Sequence, residues 1–240
     1  YDGHLQPAHP VRAYDPTNPY DLAAQAQMAA SAGIDAFCVY FYWFNGKRML
    51  HRPMDTLLSK PDIAFPFYLC WANEPWRRNW DGVSGETLMP QAYPNGFEQR
   101  LARDLLPYFQ DPRYQRPSGN RPRFLIYRPD DLPDAAQSVR LLRKAWRALG
   151  VGPVEIGAVF HGDPVPEGVF DFYLEMPPHG FCSGPDDLQP QSPHGLRAEF
   201  SGLVYDYAEM AAKSLAPERM NALPCNTIRG IMPSWDTTAR

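Results

Sequence analysis

FPFYLCWANEPWRRNWDG, residues 65–82, is the stretch on which the reading of this chain turns. Its opening run, 65–70, is apolar and has the length of a buried strand. The twelve residues after it hold three tryptophans, an Asn-Glu pair, two arginines and an aspartate. A core strand followed at once by Trp71, Asn73, Glu74, Trp76, Arg77, Arg78, Trp80 and Asp81 is either a strand end that carries chemistry or a costly loop. The residues at the ends of the other strands decide between the two.

Five further runs read as strands: 34–44, 123–127, 154–160, 169–176 and 228–232, with 63–71 as the second of six. Helical patterns fall between most of them. Asn18-Pro19 caps and opens a helix that Gly33 stops, and apolar residues recur at helical spacing over 95–109. Pro133 opens an amphipathic helix ended by Gly150, and 204–215 forms another. Alternation of this kind implies a parallel sheet with crossover connections. The six strands lead into YWFNG, ANEPW, RPDD, HGD, EMPPHG and PSWDTT, whereas the helix-to-strand joints are bland. Function gathered at the carboxyl ends of many strands is the pattern of a (β/α)8 TIM-type barrel. A doubly wound sheet would concentrate it at one switch point, usually with a Gly-rich first turn, which is absent. The expectation is one α/β domain over residues 1–240, an incomplete barrel with about six of eight strands, the first and last missing.

Bulk properties narrow the function. The 240 residues are 44% hydrophobic and 21% charged, as in ordinary globular proteins. A net charge of −4 gives no support for a nucleic-acid partner, and no apolar run reaches the length of a transmembrane helix. Cys38, Cys70, Cys182 and Cys225 lack metal-site spacing and read as reduced thiols, which suits a cytoplasmic protein. Tyr1 is not a start methionine, so a fragment of a longer chain is expected. The six histidines form no metal motif, and P-loop and GxSxG patterns are absent; no metal and no cofactor are expected.

Glu74 is the leading catalytic candidate. A carboxyl held between Trp71 and Trp76 is expected to be poorly solvated, with its pKa raised toward that of a general acid. The purely structural alternative pairs it with Arg77 or Arg78. Glu175, ending FDFYLE before a rigid Pro-Pro turn, is the second candidate; two carboxylates facing one cavity are what glycosidic bond cleavage requires. Asp81, Asp130, Asp163 and Asp236 stand in reserve. Tyr42, Trp43, Trp71, Trp76, Trp80 and Trp235 fall at strand ends, where aromatic faces stack on sugar rings or simply pack under loops. Arg77 and Arg78 suit a carboxylate or phosphate. Asn45, Asn73, Arg128, His161 and His179 complete the expected substrate-binding set.

YFYWFNGKRML, FPFYLCWANEPWRRNWDG, RPRFLIYRP, EMPPHG and RGIMPSWDTTAR together resemble the WbsX-type proteins of bacterial O-antigen and polysaccharide loci, whose domain is similar to glycoside hydrolase family 99. The resemblance covers nearly the whole chain, in order. It implies a (β/α)8 barrel acting on a glycan, with one strand before this chain and a Trp/Glu-rich strand after it. In glycoside hydrolase family 99 two glutamates three residues apart act on the sugar, the first followed by proline. Glu74-Pro75 resembles the first position, but Arg77 occupies the second and cannot act as a general acid at neutral pH. Asn-Glu-Pro is also similar to the strand end of the large retaining-glycosidase clan, in which Glu74 would be acid/base and Glu175, three strands on, the nucleophile.

The expected function is cleavage or transfer of glycosidic bonds in a bacterial surface polysaccharide. Two alternatives stand beside it. One is a nucleotide-sugar-dependent glycosyltransferase, for which Asp130-Asp131 and Asp186-Asp187 are weak substitutes for a DxD motif; the other is a barrel that only binds glycans. A glycan is the expected partner in each case.

Overall fold

A computed structural model describes residues 13–78, 85–117, 119–162, 166, 168–178, 180 and 203–233. It is a mixed α/β structure built on a mostly parallel seven-stranded sheet. In chain order the strands are β1 (Phe37–Phe44), β2 (Lys47–Met49), β3 (Phe67–Trp71), β4 (Trp76–Arg78), β5 (Glu86–Met89), β6 (Arg123–Ile126), β7 (Glu155–Phe160), β8 (Phe172–Glu175) and β9 (Thr227–Ile228). The helices are α1 (Pro19–Ser31), α2 (Arg52–Ser59), α3 (Phe97–Phe109), α4 (Ala135–Ala148), α5 (Tyr207–Ser214) and α6 (Pro217–Ala222).

The six strands expected from the sequence are the six parallel strands of the sheet: β1, β3, β6, β7, β8 and β9. Their spatial order follows chain order and never reverses. A doubly wound sheet needs a reversal, so that alternative is excluded for these strands. Among the described residues the sheet is open, with β2 and β9 as its outer strands.

Local chemistry explains most boundaries. The Asn18 side chain accepts the Tyr20 N–H at the start of α1, with Pro19 in its first turn. The fourth helix begins at Ala135 rather than Pro133, because Asp134 caps it by accepting the Gln137 N–H. Asp206 likewise caps α5 through the Glu209 N–H, starting that helix later than 204. The last strand is shorter than expected because Gly230 N–H leaves the ladder and donates to the Glu175 carboxylate at 3.2 Å. Asn45 and Gly46, both at positive φ, make a two-residue hairpin from β1 to β2, with Phe44 opposite Lys47. That hairpin, the separate β4–β5 ribbon and the short α2 and α6 were not expected.

Much of the core lies between one face of the sheet and the helices, and Tyr68, Cys70, Leu125 and Phe172 of the opposite face are buried as well. Phe41, Trp43, Leu69, Trp71, Phe124, Ile126 and Ile156 pack toward Leu101, Leu105, Tyr108 and Phe109 of α3 and toward Leu142 and Trp146 of α4. The strands' alternation sends Cys38, Tyr40, Tyr42, Tyr68, Cys70, Leu125 and Tyr127 to the opposite face. That face carries no helix layer among the described residues, and Tyr40 in mid-strand remains 42% exposed. No helix among the described residues is long and apolar enough to cross a membrane.

Candidate functional site

Glu74 stands just beyond β3, in the bend between that strand and the β4–β5 ribbon. Its partner is Arg128, just beyond the adjacent β6, whose Nε lies 3.4 Å from Glu74 Oε2. Neither Arg77 nor Arg78 of β4 takes that place: Arg77 is exposed opposite Thr87, and Arg78 lies 3.8 Å from Glu86. The seal of indoles expected around Glu74 is not there, since 40% of its side chain is exposed.

Two phenols share this strand-end space with Glu74. Burial raises the pKa of Tyr42 and of Tyr127, and the Glu74 charge raises both further. Both therefore remain protonated hydrogen-bond donors at neutral pH. Tyr40, raised well above its ordinary value by burial and by its tyrosine and cysteine neighbours, packs edge-on against Tyr127 at 5.5 Å. Trp76 meets the Tyr42 ring at 5.3 Å. His161, just past β7, meets the Tyr127 ring at 4.9 Å and places its Nε2 3.0 Å from the Tyr127 carbonyl. A carboxylate, a guanidinium, two phenols, an imidazole and an indole thus converge on the carboxyl ends of four strands and the ribbon beside them, with the Tyr40 phenol packed beneath from mid-strand.

Asn73 holds this cluster together without facing its space. It is fully buried and bonds the Arg128 backbone both ways, accepting its N–H and donating to its carbonyl, each at 2.7 Å. Tyr93 closes the arrangement by donating to the Asn73 carbonyl at 2.6 Å. The side-chain amide extends the β3–β6 ladder past its last backbone pair.

Several expected binding residues lie elsewhere. Trp43 and Trp71 are fully buried on the helix side; Trp43 Nε1 donates to Asp104 of α3 at 2.6 Å, and Trp71 Nε1 to the Trp43 carbonyl at 3.2 Å. Alternation along β1 and β3 sends these positions inward toward α3 rather than to the mouth. Asn45 turns the hairpin and accepts from Arg100 at 2.7 Å. Glu175 shares the helix-side face with Phe160, not the face of Tyr40 and Tyr42. Its buried carboxylate is gripped by Arg219 at 3.1 Å, Arg229 at 2.7 Å and the Gly230 N–H. The structure does not bring it to Glu74. Trp80, Asp81, His179, Trp235 and Asp236 lie outside the described residues. A separate hollow of ≈ 670 Å³, lined by Phe160, Phe170, Tyr173, Leu223 and Pro224 among others, contains none of the expected site residues.

Tyr40, Tyr127 and Tyr93 were not singled out from the sequence. The alternation of FCVYFYWF would have grouped Tyr40 with Tyr42, and Tyr127 ends the RFLIY run, so both carried a readable signal.

The family described as Glycosyltransferase WbsX matches residues 1–240. Two proteins, each called "Uncharacterized protein WxcX" and each from a strain of Xanthomonas campestris pv. campestris, are 34% identical over 244 residues. The match covers 100% of this chain and 34% of each relative, so the chain spans about a third of the length of the curated relatives it matches. No solved structure matches the chain. With the strand-end motifs in order and the family match running from end to end, the chain belongs to the WbsX glycosyltransferase family.

Proposed function

We propose that this chain is the greater part of a (β/α)8 barrel domain that cleaves or transfers glycosidic bonds in a bacterial surface polysaccharide. The observation that carries the reading is the placement of Glu74 beside Arg128, Tyr42 and Tyr127 at the carboxyl ends of the strands. Strand order that never reverses supports the barrel, because uniformly right-handed crossovers then stack every helix on one face and curl the sheet. The helix-free face, rich in tyrosine, becomes the interior, and the Glu74 end becomes the mouth.

In this reading Arg128 aims the Glu74 carboxylate at the sugar while the Tyr42 and Tyr127 hydroxyls donate to sugar oxygens. Trp76 offers a face for the ring's C–H surface. Glu175 acts as a structural clamp rather than as the second catalytic group. The acid role then falls to Asp81 or Asp236, strand-end carboxylates by sequence. Glu74→Gln in the full-length protein, assayed on the producing strain's purified surface polysaccharide, is expected to reduce turnover by about 100-fold or more. Unchanged turnover sinks the catalytic role of Glu74.

The family's description favours a second reading, transfer from a nucleotide-sugar donor. Calorimetric titration with uridine- and guanosine-diphosphate sugars separates the two: saturable binding supports the transferase. Polysaccharide binding without turnover in the wild type supports a glycan-binding barrel.

A further inference from the structure

Arg128 has more hydrogen-bonding capacity than Glu74 uses. A guanidinium carries its N–H donors along two edges, Nε with one Nη and the two Nη groups together. Only the Arg128 Nε meets the Glu74 carboxylate, and the contact is long, at 3.4 Å. Among the described residues no carbonyl or carboxylate meets either Nη, and 33% of the side chain is exposed. The end-on edge is open to a solute.

The root of this side chain is nevertheless held firmly. Buried Asn73 fixes the Arg128 N–H and carbonyl at 2.7 Å each, and the guanidinium lies 5.6 Å from the Tyr127 ring, within cation–π range. A guanidinium already aimed loses less side-chain entropy when it grips a ligand. Arg77 and Arg78, which the sequence suggested for a carboxylate or phosphate, are placed differently: Arg77 is exposed opposite Thr87 on the ribbon, and Arg78 faces Glu86. The neighbours of Arg128 add donors. Burial, with the Glu74 charge adding to it, keeps the Tyr42 and Tyr127 hydroxyls protonated. Donors of this kind call for a ligand group that accepts, and a planar guanidinium edge matches an oxyanion in a bidentate pair.

We propose, resting on the glycan reading of this strand end, that Arg128 forms an oxyanion subsite and that the sugar unit seated against Glu74 is an acidic one, bearing a carboxylate or a phosphate. The two Nη groups hold the oxyanion end-on while Nε stays with Glu74. The guanidinium then stands between two anions, and its charge screens that of the substrate from the Glu74 carboxylate. A neutral sugar leaves the Nη edge to water.

The test is calorimetric titration of the full-length protein with the producing strain's purified surface polysaccharide, with Glu74→Gln present throughout so that turnover does not consume the glycan. Three preparations are compared: native, carboxyl-reduced with carbodiimide and borohydride, and dephosphorylated with aqueous hydrofluoric acid. One of the two treatments is expected to weaken binding about ten-fold or more, as the loss of a charge-assisted bidentate pair, and the effective treatment names the anion. Adding Arg128→Met is expected to make native and treated glycan bind alike. Arg128→Lys, which keeps the charge without the fork, is expected to retain part of the preference. An Arg128 that only aims Glu74 gives the opposite result: Arg128→Met weakens every preparation equally and leaves the preference intact, which overturns the proposal. Equal binding of the three preparations before Arg128 is changed overturns the acidic subsite but not the glycan site, whereas no binding of any preparation overturns both. Neither substitution removes the backbone groups that Asn73 holds, and circular dichroism checks that both variants fold.

Discussion

Asn73 shows how one side chain sets the geometry of a site that it does not enter. Its amide is buried and joins the Arg128 N–H and carbonyl, residues 55 positions apart in the chain. Truncation leaves those groups and the Tyr93 hydroxyl short of partners, a cost of about 1–3 kcal/mol for a buried polar group left unsatisfied. Asn73→Ala is therefore expected to lower stability by about 2 kcal/mol in urea unfolding. It is also expected to loosen Arg128 against Glu74, so that turnover falls although the Asn73 side chain is itself fully buried. Asn73→Asp is expected to rescue poorly, because a carboxylate accepts the Arg128 N–H but faces the Arg128 carbonyl with an acceptor. If both variants unfold like the wild type, the amide is not what joins the two strand ends.

At the level of elements, Glu175 fastens the end of the sheet. Its carboxylate ties β8 to α6 through Arg219 and to the segment after β9 through Arg229 and the Gly230 N–H. Strand β9 has only two residues in register with β8, so this clamp supplies much of what holds it. Removing the anion leaves two partly buried guanidinium groups facing each other. Glu175→Ala is expected to cost about 3 kcal/mol, read as a lower urea midpoint together with faster hydrogen exchange in β9. Glu175→Gln keeps an acceptor and is expected to cost less. The same carboxylate, read from sequence as half of a catalytic pair, shows what element packing adds. FDFYLE reveals a strand ending in an acid, but not which face the acid takes or what waits there.

At the scale of the molecule, the loop that enters β3 is knotted by Arg113. Its guanidinium donates to the carbonyls of Leu57, Lys60 and Ile63 and to both oxygens of Asp111. Burial raises the Asp111 pKa, but hydrogen bonds from the Arg113 side chain and N–H, together with its charge, outweigh that and hold it below its ordinary value. A carboxyl depressed in the folded state adds stability that is full above its unfolded pKa and is lost as pH falls through the folded value. Asp111→Asn is accordingly expected to be less stable than the wild type at pH 7, with the difference shrinking toward zero as the pH falls below the ordinary carboxylate range. A difference in urea midpoint that stays constant from pH 7 to the acid range contradicts this.

What the sequence determined by itself was local. Apolar runs and helical spacing marked all six parallel strands and four of the helices, and polar strand ends marked one rim of the sheet. The family motifs were equally legible, because they are contiguous. The Asn45-Gly46 pair carried a hairpin signal as well, but the hairpin was not expected and Asn45 was read as a binding residue. What only the tertiary structure decided was which side chains meet. The period of two assigns residues to faces, but only packing decides which face receives helices, and that choice sent Trp43, Trp71 and Glu175 inward. The pairing of Glu74 with Arg128 and of Asn73 with the Arg128 backbone depends on the register of neighbouring parallel strands. Register is a long-range property, fixed by many weak contacts across crossovers, and no local pattern encodes it.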